Sequence, residues 1–392
     1  MVAKLSLVEC MAAVEDPRVD RTKAHDLQDI LVLSVLAVLC GADGWEDIEL
    51  FAKIRFSWLK KFIKLRNGVP SHDTISRVFR MIRPDAFQEA FLAWVSGLNF
   101  GSDGLNVVAI DGKSLRRSHD KKTFKSMLHS VAAWSVDNRV VLGCQSVDQK
   151  SNEIMAIPEL LKKLELKGAI ITMDAMGSQK DIAAQIVDGG GDYVLAIKDN
   201  HPTLHKATSE YFDQAHEQGC IESGVRHHHT SDAKHGRREN RYYYQASIPE
   251  SLKELTDSWK GAKSIGQVHN ITIRDGKECC EIRYYLSSLP VSVKKFASAV
   301  RAHWGIENSF HWVLDMTFNE DQSRIRKGHS PDNFALLRRF AINILSLDSS
   351  KESTRKKRKR AAWDENYLLI CLAAIIQDAV ALTSPPQFPG SR

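Results

Sequence analysis

Two short runs constrain this chain more than anything else in it. Val107-Val108-Ala109-Ile110-Asp111-Gly112-Lys113 is an apolar run of four that ends in Asp and Gly. Gly168-Ala169-Ile170-Ile171-Thr172-Met173-Asp174-Ala175 repeats that grammar, with Gly177 close behind. Each reads as a buried strand that delivers a carboxylate to the end of a sheet and then turns. A fold that accommodates both must set two strands so that their acidic ends share a surface.

The segments around them supply such a fold. Before residue 100 the pattern is helical: Leu27, Ile30, Leu31, Leu33, Leu36 and Val38 form one stripe, and Trp58, Leu59, Phe62 and Ile63 another. Ser71 is placed to cap a helix whose Ile75, Val78 and Phe79 face inward while Arg77, Arg80 and Arg83 stay wet. That helix fits the second helix of a helix-turn-helix; the plainer reading, which the pattern favours, is a packed bundle with a solvated basic face.

From Asn106 the period becomes strand-like. Leu128–Trp134 and Val140–Val147 form a hairpin around Asp137-Asn138, and a helix over 157–166, the Asp174 strand, a helix over 179–187 and a strand over 193–197 follow. The order predicts an α/β mixed sheet with flanking helices, compatible with an RNase H-like core. Residues 203–288 read as a mostly β insertion, in which His227, His228, His229 and His235 fall in a polar loop; three adjacent histidines in a strand would alternate faces and could not share one ion. Helix returns from Val293 to about Phe318 and sets His303, Glu307, His311 and Asp315 on one stripe. The expected organisation is a helical domain over 1–100, core segments over 101–202 and 289–348 around the insertion, and a basic segment with a C-terminal helix over 349–392.

Charge is local rather than global. The formal net charge is +6, and Lys351 to Arg360 alone carries seven basic residues against Glu352, so the remainder is balanced. Like charges repel within a helix, so this segment is expected to be a flexible DNA-binding stretch. Seven cysteines without a Cys-x-x-Cys pair argue for reduced thiols and against a zinc ribbon. No run approaches the roughly 20 apolar residues a membrane span requires. The expectation is a soluble cytoplasmic, nucleoid-associated protein with no membrane partner.

Three separated carboxylates, Asp111, Asp174 and Glu307, suit a two-metal phosphoryl-transfer site. Hard oxygen ligands select Mg²⁺ or Mn²⁺, and two ions about 4 Å apart activate the attacking oxygen and stabilise the leaving one. Each residue also has an ordinary reading, since Asp before Gly is a common turn and Glu307 could simply pair with His303 or His311. Zinc is disfavoured because His-x-x-x-Glu-x-x-x-His is not the metalloprotease spacing.

Asp111-Gly112-Lys113, Thr172-Met173-Asp174-Ala175, Ala196-Ile197-Lys198-Asp199-Asn200 and His303-Trp304-Gly305-Ile306-Glu307-Asn308 together resemble the H-repeat-associated transposases, insertion-sequence enzymes with a DDE triad. Cys40-Gly41-Ala42-Asp43-Gly44-Trp45 and Pro70-Ser71-His72-Asp73-Thr74 resemble that family's N-terminal associated region. The resemblance implies that Asp111, Asp174 and Glu307 bind two Mg²⁺ or Mn²⁺ ions in an RNase H-like core interrupted by a β insertion. It implies a homodimer acting on double-stranded DNA, both terminal inverted repeats and target.

One departure stands out. Related enzymes carry a Tyr-Arg-Glu-Lys signature around the last Glu, and here Val300, His303 and Leu314 occupy the Tyr, Arg and Lys places. Lys113, Arg116, Arg117, Lys198, Asn200, His303 and Arg324, with Arg77 and Arg80 in the helical domain, are the expected DNA contacts. A structure-selective nuclease of the same fold, or a catalytically silent copy that still grips DNA, are the alternatives.

Overall fold

The computed structural model describes residues 6–98, 105–118, 127–147, 153–234, 237–275, 277–373 and 375. His235 and the chain beyond residue 375 lie outside them. Six helices come first: α1 (Leu7–Ala12), α2 (Leu27–Leu39), α3 (Trp45–Ile54), α4 (Phe56–Leu59), α5 (His72–Met81) and α6 (Pro84–Ser96). Their ends follow local chemistry. The Ser71 hydroxyl accepts the Thr74 amide N–H at the start of α5, and Pro84 opens α6 at a position that needs no donor.

There follow β1 (Val107–Leu115), β2 (Leu128–Ser135), β3 (Val140–Val147), α7 (Glu153–Leu161), β4 (Ile170–Met173), α8 (Lys180–Asp188), β5 (Asp192–Ile197) and α9 (Pro202–Gln218). Next come β6 (Arg226–Lys234), β7 (Arg237–Ser247), α10 (Glu250–Thr256), β8 (Ser264–Arg274) and β9 (Lys277–Ser287). The chain closes with α11 (Val293–Gly305), a π turn (Ile306–His311), α12 (Trp312–Met316), α13 (Ser330–Ser346), α14 (Thr354–Trp363) and α15 (Glu365–Ala373).

The strands form one sheet in the order β3-β2-β1-β4-β5-β9-β8-β7-β6. β3, β2 and β1 are antiparallel, whereas β1, β4 and β5 are parallel, which is the RNase H-like arrangement expected from the sequence. The β-rich segment does not form a sheet of its own: β9 pairs antiparallel with β5, so β9 to β6 prolong the same sheet. His227, His228 and His229 sit in β6 rather than in a polar loop, and His228 and His229 stack on Tyr243 and Tyr242 of β7. The run shows no strand period because an edge strand needs few apolar residues.

Strand alternation divides the core. Val108 and Ile110 of β1 pack with α7, α8 and β4 residues on one face, while Ala109 faces the side that carries the N-terminal helices and α13. The N-terminal helices share that core with Phe310, Phe334, Phe340 and Leu368, so they are welded to the later elements rather than set apart. The outer strand β3 is covered by Asn343 of α13, whose side-chain amide donates to Val141 O and accepts from Val141 N, both at 2.8 Å.

The basic segment also differs from expectation, because Thr354–Trp363 is a folded helix. Lys357 and Arg358 are buried, and Arg358 donates to the carbonyls of Val38 (3.1 Å) and Ala42 (3.3 Å), to the Thr317 carbonyl and to the Asp43 carboxylate. These acceptors at the end of α2 draw one cation inward, and the repulsion among the rest is relieved in solvent. Arg355, Lys356, Lys359 and Arg360 remain exposed. Among the described residues, no helix is long and apolar enough to cross a membrane.

Truncating Arg358 would strand several buried carbonyls and the Asp43 carboxylate. Arg358→Ala is expected to cost about 2–4 kcal/mol in urea unfolding, whereas Arg355→Ala, on the exposed face, should stay within about 0.5 kcal/mol.

Candidate active site

The parallel register between β1 and β4 sets the two aspartates. Ile110 is opposite Met173, the last pair of the ladder, so Asp111 and Asp174 are the next residues on adjacent strands. Thr172 faces α11, so alternation turns Asp174 to the same side of the sheet as Asp111. Asp111 is not followed by a turn, because β1 runs on to Leu115. Gly112 serves another purpose there. A Cβ at that position would lie 2.6 Å from Oε2 of Glu153, the first residue of α7, so the missing side chain leaves room for a buried carboxylate on the far side of the strand.

Glu307 comes to the site from the π turn between α11 and α12. In an unbroken helix, Asp315, twelve residues after His303, would have drifted by about a third of a turn from it. The π turn, with its i→i+5 bonding, slows the rotation, and the stripe stays over the sheet. His303 Nδ1 lies 3.1 Å from Thr172 Oγ1 on β4, His311 Nδ1 lies 3.6 Å from Asp111 Oδ2, and Asp315 Oδ1 accepts from Lys113 Nζ at 2.7 Å. Phe310, next to His311, stacks on Trp134 of β2 with ring centroids 4.9 Å apart. Glu307 itself is exposed, as is Asp174, while Asp111 is half-buried.

The charges interact. Burial raises the Asp111 carboxyl to about 7; the Gly112 N–H it accepts opposes the rise, and the negative charges of Asp174, Glu307 and Glu153 add to it. Among the described residues, no three His, Cys, Asp or Glu side chains converge tightly enough to form a ready-made ion cage. The carboxylates are thus neighbours by charge without being clamped together. Desolvation lowers His311 to about 3, helped by Lys113 and Arg339, and lowers His303 to about 4, so both rings are neutral at pH 7.

The expected DNA contacts are distributed unevenly. Lys113 is buried and its ammonium is committed to Asp315 and Asp321, so it locks the helix to β1 instead of facing solvent. Neutral His303 brings no positive charge. Asn200 is exposed at the end of β5, and its amide braces the loop after Asp174 by donating to the Ala175 and Ser178 carbonyls. Arg117, Lys198 and Arg324 are exposed near the carboxylate end of the sheet, and Arg116, also exposed, reaches Asp321 at 3.2 Å. Arg77 and Arg80 are exposed on α5, in the N-terminal helical layer.

Sequence reasoning missed Glu153 and the locking role of Lys113. Glu153 opens a helix, which is an unremarked place for an acid. Its importance becomes visible only through the space that Gly112 leaves.

A family profile described as Transposase DDE domain matches residues 102–344, and one described as DDE_Tnp_1-associated matches residues 8–95. The H repeat-associated putative transposase YhhI of Escherichia coli K12 is 41% identical over 378 residues, covering 94% of this chain and 97% of that protein. The putative transposase YncI of Escherichia coli O157:H7 is 40% identical over 376 residues, covering 94% and 95%. A chain from a piggyBac transposase synaptic complex with hairpin DNA aligns over 99% of this chain and 83% of its own, at 11% identity and a TM-score of 0.43, a likeness too slight to bear on the site.

A carboxyl held at about 7 in the folded protein keeps a proton that the unfolded chain loses near its ordinary value of 3.8. Folding stability therefore falls as pH rises from about 4 to about 7 and is level above that. With a chelator present, thermal unfolding should show Asp111→Asn gaining on the native protein across that interval; a gap independent of pH would contradict the assigned burial and repulsion.

Proposed function

The chain belongs to the transposase DDE-domain family, and from that premise we propose that it binds the inverted-repeat ends of its element, hydrolyses a phosphodiester there to expose a 3′-OH, and joins that hydroxyl to target DNA. The observation that carries the reading is the β1–β4 register, which brings Asp111 and Asp174 side by side in electrostatic reach of Glu307. Sites at the carboxyl ends of parallel strands are where open α/β sheets bind ligands.

The donor set fits hard divalent cations. The three side chains offer only oxygen, and the mutual repulsion that adds to the burial-driven rise at Asp111 is what a bound cation would relieve. Asp111, Asp174 and Glu307 would hold two Mg²⁺ or Mn²⁺ ions, whose chemistry is to activate the attacking oxygen and stabilise the leaving one. The protein's own residues position that set. Lys113 and Asp315 tie the Glu307 helix to β1, Asn200 steadies the Asp174 loop, and the neutral ring of His311 fills the space beside Asp111 without competing for its charge.

Arg117, Lys198 and Arg324 are suited to DNA phosphates around the site, and the N-terminal helices with Arg77 and Arg80 are the candidate for recognising the element's ends. Two copies of the chain would hold the two ends.

In cleavage assays on duplexes carrying the element's ends, with Mg²⁺, Asp174→Ala and Glu307→Ala are each expected to lower the rate at least about a thousandfold (about 4 kcal/mol of barrier) while leaving binding of those duplexes intact. Cutting at the native rate by either variant would remove the assignment. Cutting by the native protein without strand transfer from a pre-nicked end would favour a nuclease instead.

A further inference from the structure

Between the Glu307 helix and the outer strands β7, β8 and β9 lies a cavity of about 250 Å³. Arg283, Arg301, Trp304 and Glu307 line it together with Asn270 and Arg241. Arg241 is buried and saturated by Asp232 and Glu239. The other two arginines are not. Arg301 reaches Asp232 only at 3.8 Å with both side chains about half exposed, and Arg283 pairs with the half-exposed Glu281 at 2.7 Å. Exposed pairs of this kind hold their partners weakly. Each guanidinium therefore has N–H donors to offer an incoming ligand. Asn270 adds a buried amide oxygen without a hydrogen-bond partner, an acceptor that an N–H or O–H of a nucleotide could satisfy.

The geometry selects the chemistry. The Arg283 guanidinium lies 3.9 Å over the Trp304 ring, so that indole face is already covered and a base cannot stack there without displacing the arginine. A guanidinium placed over an aromatic ring still has edge N–H groups to present, and these match the paired oxygens of a phosphodiester. Trp304 and Glu307 are three residues apart and both line the cavity, so a phosphate bound here would lie beside the Glu307 side chain.

We propose that this cavity is a phosphodiester-binding subsite, in which Arg283 and Arg301 grip the DNA backbone phosphate nearest the bond that is cut. The inference rests on the DNA-cutting reading above. The arginines come from β9 and from α11, so the β-rich segment contributes to the site from the far half of the sheet. In this chain they supply positive charge beside Glu307, where His303 is neutral and Leu314 is apolar.

The test uses the full chain and a fluorescent duplex bearing the element's terminal sequence with a 3′ single-stranded end, titrated by anisotropy from low to physiological salt. The double variant Arg283→Ala/Arg301→Ala should bind at least about tenfold more weakly, and the slope of log affinity against log salt should shrink by about one. Arg283→Lys, which keeps the charge and loses the planar stack, should fall between. The salt slope is a readout that a merely structural role would not move, and matching thermal unfolding of the variants checks the fold. If the native protein binds and cuts while the double variant matches it in affinity, slope and rate, the subsite is wrong and the DNA-cutting reading stands. If the native protein neither binds nor cuts the duplex with Mg²⁺, both fall.

Discussion

The parallel pairing of β1 with β4 is the constraint on which the rest of the molecule depends. Parallel strands are buried on both faces, so both carry apolar runs along their pairing, and a charged side chain can appear only where that pairing ends. The pairing stops after Ile110 and Met173, so the next residue on each side is an aspartate, and both turn to the same face. A slip of one residue would turn one of them into the apolar layer that carries Ile110 and Met173. The pairing thus fixes the core and the site in a single step.

The Glu307 helix is fitted to that sheet by three separate contacts rather than by apolar packing alone. His303 meets Thr172, His311 meets Asp111, and Asp315 meets Lys113, a ladder that the π turn keeps in phase. Phe310 on Trp134 and the core shared with α13 anchor the helix further. Buried cations recur at the same seam. Arg338 and Arg339 reach the buried Glu320, and Arg358 ties α14 to the end of α2. Burying charge is costly without such partners. The N-terminal helices and the C-terminal helices consequently hold the sheet and the Glu307 helix as one packed unit.

Much of this was legible in the residues. The strands around Asp111 and Asp174, the β2–β3 hairpin and the late helix show clear period; the two aspartates stand where apolar runs end, and Glu307 lies on the stripe of the late helix. What was not legible depends on contacts far apart in sequence. The π turn has no propensity signature; it is stabilised by what both ends of the helix must touch. Lys113 looks like a surface lysine until Asp315 and Asp321 are brought to it. The histidines of β6 look like a loop because an edge strand can be polar, and the run Arg355 to Arg360 looks unfoldable until the carbonyls of α2 accept Arg358.

Asp111, Asp174 and Glu307 are proposed to act as one metal-holding set although they are not clamped together. Crystals of the protein soaked in Mn²⁺ and measured at the manganese edge test it most directly. Two anomalous peaks are expected among the three carboxylates, both lost in Asp174→Ala; manganese bound elsewhere with that cluster empty, or peaks unchanged in Asp174→Ala, would contradict a shared metal site.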